Sequence, residues 1–177
     1  AAAFDHLEQA GKVRHFGVSN QNPMMMELLK TAVKQPLKVN QLQLSAAFTP
    51  SFEAGFHVNM EGTKAAVRDG SVFEYCRLTD TVIQAWSVLQ HGFFKGNFVG
   101  KEEFAALNHV LNDLAKKYQV TPTAIALAWV LRYPGKMQAV IGTTKPQHVL
   151  EAGKAATVTL TRKEWYQIYL AAGNDLP

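Results

Sequence analysis

Apolar and polar residues follow two periods along this chain. Apolar residues recur at helical spacing over residues 1–10, 23–33, 102–118, 122–132 and 146–154, and again after Thr161. Runs of β-forming residues sit between them at 13–18, 39–45, 81–89 and 138–141. Gly11 suits the left-handed cap that closes the first helix. Asn22-Pro23 and Thr121-Pro122 each read as an N-cap followed by proline in the first turn. Thr161 with Glu164 reads as a capping box. Met24, Met25, Leu28 and Leu29 place a methionine-rich face toward the core, because Met fills irregular gaps. The helix at 102–118 gathers Phe104, Leu107, Val110, Leu111 and Leu114 on one face, while 122–132 is apolar nearly all round and is expected against a sheet. The last helix turns Trp165, Ile168, Tyr169 and Leu170 inward.

The strand at 39–45 sets Val39, Gln41 and Gln43 on one face and Asn40, Leu42 and Leu44 on the other. Amides along one face of a strand imply that they line a site. The strand at 81–89 is mostly apolar and suits burial on both faces. Residues 46–70, with Pro50, Gly55, Gly62 and Gly70, read as a long irregular segment, and 72–78 as a short helix. Residues 90–100 read as a second loop, with Gly92, Gly96, Gly100, Phe93, Phe94 and Phe98.

A helix, four strand–helix units and a terminal helix make an α/β fold with a parallel sheet and helical crossovers. Four units suit half of a (β/α)8 TIM barrel, which takes about 250 residues, or a small open α/β sheet. The length of 177 residues favours one domain over residues 1–177. The chain is 47% hydrophobic with a net charge of +4, which excludes disorder as its main state. Its apolar runs are too short to span a bilayer, so no membrane partner is expected. The single cysteine, Cys76, excludes an internal disulfide and reads as packing. With no signal-peptide pattern, it fits a cytoplasmic location. The chain lacks an initiating Met and begins within a helical pattern, so it reads as a fragment.

The basic residues are scattered, with no Lys/Arg run of the kind that marks a nucleic-acid surface. A phosphate-bearing ligand is the sharper reading of the charge. His6, His57, His91 and His109 lack metal-ligand spacing, so no metal site is expected. Unusual polar residues instead cluster at the C-terminal ends of the strands: Ser19-Asn20, Gln41 and Gln43, Trp86-Ser87, and Gly142 to Lys145. That rim is where parallel α/β folds build their sites. Ile141 to Glu151 reads IGTTKPQHVLE: a glycine permitting close approach, two hydroxyls before a helix, and a lysine suited to phosphate. Neither a Walker loop nor a GxGxxG fingerprint is present.

The stretches GKVRHFGVSN, VNQLQLS, AWSVL, IGTTKPQHV and WYQIYLAAGNDLP, in this order, resemble the C-terminal half of aldo-keto reductases. The resemblance implies a (β/α)8 barrel that binds extended NADPH and reduces a small-molecule carbonyl. By position, Ser19, Asn20 and Gln41 would hold the nicotinamide carboxamide, and Trp86 would stack on its ring. Ser87, Leu89 and the Gly92 loop would cover the pyrophosphate. Ile141 and Gly142 open the adenosine side. There Thr143, Thr144 and Lys145 would hold the 2′-phosphate, with His148 and Glu151 near the adenine and ribose. Val88, His148 and Ala152 depart from a Pro, an Arg and an Asn common in the family. The family's catalytic Asp, Tyr, Lys and His lie on earlier strands, so no catalytic residue is assigned here. The isolated chain is expected to self-associate and to lack reductase activity. A non-enzymatic, NADPH-sensing regulatory subunit of the same fold is the alternative.

Overall fold

The computed structural model describes residues 1–56, 71–92 and 95–176, with 54–56 in backbone only. His57, Gly62, Gly70, Phe93 and Phe94 therefore lie outside the described residues. Four strands, β1 (Phe16–Ser19), β2 (Leu37–Gln43), β3 (Val82–Trp86) and β4 (Met137–Ala139), form one parallel sheet in the order β1-β2-β3-β4. The helices are α1 (Ala2–Gln9), α2 (Pro23–Lys30), α3 (Pro50–Phe56), α4 (Val72–Leu78), α5 (Ala105–Tyr118), α6 (Pro122–Leu131), α7 (Pro146–Gly153) and α8 (Arg162–Ala171). Short 3-10 turns at Glu102–Phe104 and Lys154–Thr157 precede α5 and follow α7.

One face of the sheet carries the core. Leu42, Leu44, Ile83 and Ala85 are buried there in one cluster with α6, where every residue from Ala124 to Val130 is buried; α4 packs on β3 and α6 on β4. Trp129 of α6 and Trp165 of α8 stack with ring centroids 4.8 Å apart and planes 9° apart. Each indole N–H donates to the other residue's carbonyl, at 3.0 and 3.1 Å. The pair therefore buries two large rings while leaving neither N–H unsatisfied. A smaller cluster of Met26, Val33 and Leu37 packs with Phe4 beside β1, where Phe4 stacks on Phe16 at 4.3 Å.

The caps form as read. Asn22 accepts from the Met25 N–H at 2.9 Å, Thr121 caps α6, and Thr161 and Glu164 close a full capping box. Several expectations are corrected. The irregular reading of 46–70 misses α3: Pro50 opens it behind Thr49, whose hydroxyl donates to Glu53, and Phe52 is buried among Phe73, Trp129 and Tyr133. The methionine face is largely outward, since only Met26 is buried while Met24 and Leu28 are 69% and 73% exposed. A helix this short has room for one seam against β1 and β2, and Met26 takes it. The third strand is not buried on both faces. It ends at Trp86, and Ile83 and Ala85 alternate with half-buried Val82, Gln84 and Trp86. Leu170 faces out, because α8 spends its inner stripe on Trp165, Ile168 and Tyr169. Cys76 is fully buried, and that burial pushes its thiol up to about 11.

Glu164 links two helices beyond its cap. Burial opposes its charge, but Lys117, the Thr161 N–H and hydroxyl, and the Tyr118 hydroxyl hold it at about 2. Thr161→Ala is expected to cost about 0.5–2 kcal/mol, the range for lost N-caps. Because the folded carboxyl titrates below its ordinary 4.5, its contribution is whole above that value and fades as pH falls toward 2. Urea melts of Glu164→Gln and wild type should therefore differ most at pH 7 and converge near pH 2.

Candidate functional site

The strand ends are built in sequence. At β1, the Asn20 N–H donates to the Gln41 carbonyl at 2.9 Å, and the Ser19 hydroxyl donates to the same oxygen at 3.3 Å. Asn20 turns into the left-handed region, with φ 54°. The following residue is pinned from below: Asn40, fully buried on β2, donates to the Gln21 carbonyl at 2.8 Å. At β3 the chain turns again at Ser87, with φ 51°, and the Gln90 N–H closes that turn on the Ser87 carbonyl at 2.9 Å. Ser45, beyond β2, donates to the Gln90 carbonyl at 2.6 Å and locks the turn to its neighbour. Non-glycine residues are uncommon in this region; Asp80 before β3 and Gln119 at the end of α5 adopt it as well.

After β4 the Val140 N–H donates to the Ala85 carbonyl at 2.8 Å, extending the pairing to the rim. Gly142 is exposed, with nothing within 4 Å of where a Cβ would stand. Thr143 Oγ1 lies 3.4 Å from His148 Nδ1 and accepts from the Lys145 N–H at 3.2 Å. Gln147 donates to Glu151 at 3.0 Å. α7 starts at Pro146, where the sequence reading places it: Lys145 is its N-cap, and Pro146 at its first position has no N–H. Thr143 and Thr144 thus lie before the cap, so their hydroxyls, rather than helix-terminal N–H groups, are what they offer an anion.

Two cavities follow this rim. One, of about 500 Å³, lies along Trp86 to Gln90, Ile141 to Thr143, His148, Glu151 and Ala152. The other, of about 450 Å³, lies along Asn20 to Asn22, Gln43, Phe48 and Trp86. Trp86 belongs to both walls, so the two cavities adjoin at the end of β3 and follow one rim of the sheet. Of the residues singled out from the sequence, Asn20, Trp86, Ser87, Leu89, Ile141, Gly142, Thr143, His148 and Glu151 line them. Ser19, Gln41, Thr144 and Lys145 stand exposed outside their walls, and Gly92 is buried beside the Lys95 side chain. Sequence reasoning missed Asn40 as the support of the first turn. It also missed Gln90, whose Oε1, like the Nε2 of the rim amide Gln43, is a buried amide atom without a partner, one in each wall. An alternation of amides was the visible signal for Gln43; nothing local marks Gln90. A third cavity, of about 290 Å³, lies among Arg77, Arg132, Tyr133, Arg162 and Trp165, near the segments that lead into β3 and β4. Among the described residues no three His, Cys, Asp or Glu side chains gather as a metal site, and no helix is long and apolar enough to cross a membrane.

The sequence model of the Aldo/keto reductase family matches residues 1–171. The chain belongs to the aldo/keto reductase family. It is 33% identical over 176 residues to the 6-dehydroglucose reductase of Agrobacterium fabrum, covering 98% of this chain and 52% of that protein. It is 32% identical over 179 residues to the oxidoreductase YdhF of Escherichia coli, covering 100% of this chain and 53% of that one. The chain thus spans about half the length of these curated relatives. Among solved structures it resembles a thermostable aldo-keto reductase crystallised with the inhibitor epalrestat, with a TM-score of 0.68 and 20% identity, over 96% of this chain and 53% of that one. The likeness establishes the fold: four parallel strands with their helices, about half of an aldo/keto reductase (β/α)8 barrel.

The left-handed turn at β1 sets a stability expectation. Asn20→Gly should keep stability within about 0.5 kcal/mol, whereas Asn20→Val should cost about 1–2 kcal/mol, the penalty for that backbone with an unsuited side chain. Urea unfolding of the two variants checks the difference.

Proposed function

We propose that this chain carries the cofactor-binding half of an NADPH-dependent reductase that converts an aldehyde or ketone to an alcohol. One observation carries the reading: two cavities that meet at Trp86 follow the C-terminal rim of the parallel sheet from Asn20 to Glu151. Their course suits an extended dinucleotide, and the unpartnered Gln43 and Gln90 amide atoms suit a polar ligand that would satisfy them. When bound, the reduced nicotinamide supplies the hydride that, with one proton, turns the carbonyl into the alcohol.

The chain's own residues bind and orient. Asn20, Ser19 and Gln41, gathered on one carbonyl at the end of β1, would hold the carboxamide. Trp86, half-buried and shared by both cavities, would support the ring. Ser87, Leu89 and the segment through Gly92 would cover the pyrophosphate. Thr143, Thr144 and Lys145 would meet the 2′-phosphate, with His148 and Glu151 beside the adenosine. No residue of this chain is assigned to protonate the carbonyl oxygen; that donor would come from outside it. The family assignment and the reductase relatives support this reading.

The exposed face of the sheet and the outer edges of β1 and β4 support a second part of the proposal. In a closed barrel, further strands would cover them. The isolated chain would instead pair those edges with another copy of itself. Sedimentation of the purified 177-residue chain should show self-association, and NADPH oxidation with aldehydes should stay at background. A monomer that reduces aldehydes at ordinary enzyme rates would contradict both statements.

Cofactor selectivity gives a sharper check. Lys145→Ala should lower NADPH affinity by about 1.5 kcal/mol, the low end for a bond to a charged group since Lys145 is exposed. NADH affinity should barely move; an equal loss for both would contradict the 2′-phosphate assignment. Saturating NADPH should also quench tryptophan emission, Trp86 most of all, since Trp129 and Trp165 are buried in their stack away from the rim. The quench should be smaller in Trp86→Phe, and its absence in the wild type would count against Trp86 at the ring.

A further inference from the structure

Three glutamines form a row across the open face of the sheet. Gln41, Gln84 and Gln138 are register partners on β2, β3 and β4, and Ser19 on β1 pairs with Gln41. The Gln41 Nε2 donates to Gln84 Oε1 at 2.8 Å, and the Gln84 Nε2 donates to Gln138 Oε1 at 2.9 Å. A primary amide has an acceptor at one corner and donors at the other. In a head-to-tail row, turning one amide sets donor against donor or acceptor against acceptor, so the three must point the same way. The observed direction spends the Gln41 nitrogen on Gln84 and leaves the Gln41 oxygen outside the row. The reverse direction would spend that oxygen and present an –NH2 instead.

We propose that Gln84, backed by Gln138, is a positioning and specificity-determining residue: it holds Gln41 with its amide oxygen outward, as an acceptor for the –NH2 of the nicotinamide carboxamide. The inference rests on the reading that Gln41 meets the nicotinamide. An outward oxygen favours a carboxamide and disfavours a carboxylate at the same place, where two acceptors would face each other. The row thereby reads the ring substituent from two strands away. Gln84 acts through Gln41 and touches no part of the reaction itself.

The test compares affinities of the full 177-residue chain for NADP+ and for its nicotinic-acid analogue, by titration calorimetry. Wild type should favour the carboxamide. Gln84→Leu removes the partner that fixes Gln41, and the preference should fall by about three- to tenfold, the scale of one hydrogen bond. Gln84→Glu should retain it, because a carboxylate still accepts from the Gln41 nitrogen. Gln138→Leu, at the far end of the row, should give a smaller fall. The fragment 2′-phospho-ADP-ribose, which lacks the ring, should bind all four proteins alike, reporting an intact groove. A Gln84→Leu variant that binds the fragment normally and keeps the wild-type preference overturns the role of the row. Wild type that binds the fragment yet does not distinguish the two dinucleotides overturns the placement of the nicotinamide at Gln41, and the inference with it.

Discussion

Parallel pairing is the constraint on which the rest of this structure depends. Two parallel strands cannot be joined by a tight turn, so each must be followed by a crossover that returns the chain to the other end of the sheet. Four such strands therefore end on one edge, in register, with their connecting segments side by side. Asn20, Trp86-Ser87 and Ile141-Gly142 are far apart in the chain and meet only because β1, β3 and β4 all run the same way. The groove is the space between those segments, and its left-handed turns at Asn20 and Ser87 are where the backbone leaves the sheet sharply enough to leave that space open.

The helices hold the opposite face so that the rim can be irregular. α6, buried from Ala124 to Val130, packs on β4 and meets α8 through the reciprocal Trp129–Trp165 pair, which satisfies both indole N–H groups. Buried Asn40 carries this order to the site: its amide leaves the core side of β2 and fixes the Gln21 carbonyl of the first turn. The exposed face carries the amide row instead of a hydrophobic layer, which suits an interior that meets polar groups.

Local signals with a mechanism were legible in the sequence. Asn22-Pro23, Thr121-Pro122 and the Thr161–Glu164 box each announced a helix that forms where expected. The same signal at Thr49-Pro50 is obscured by the glycines that follow, so the pattern reads as loop where Phe52 anchors α3. Burial was less legible than element type. Helical spacing placed Met24 and Leu28 on an apolar face, but spacing alone does not say whether anything covers that face. Strand ends shifted by a few residues because pairing, rather than β-propensity, sets where a ladder stops. Of the candidate site, residues adjoining one another in sequence were found readily. The Gln41–Gln84–Gln138 row was not, since its members are united only by register.

The central claim is that one rim groove binds one extended dinucleotide along its whole length. Amide and indole chemical-shift mapping of the isotope-labelled chain with NADP+ tests it most directly. The account predicts perturbations at Asn20 and the Trp86 indole at one end and at Thr143 and His148 at the other, saturating together with one affinity. Perturbations confined to the cavity of Arg77, Arg132 and Arg162, or two ends of the groove titrating with separate affinities, would contradict it.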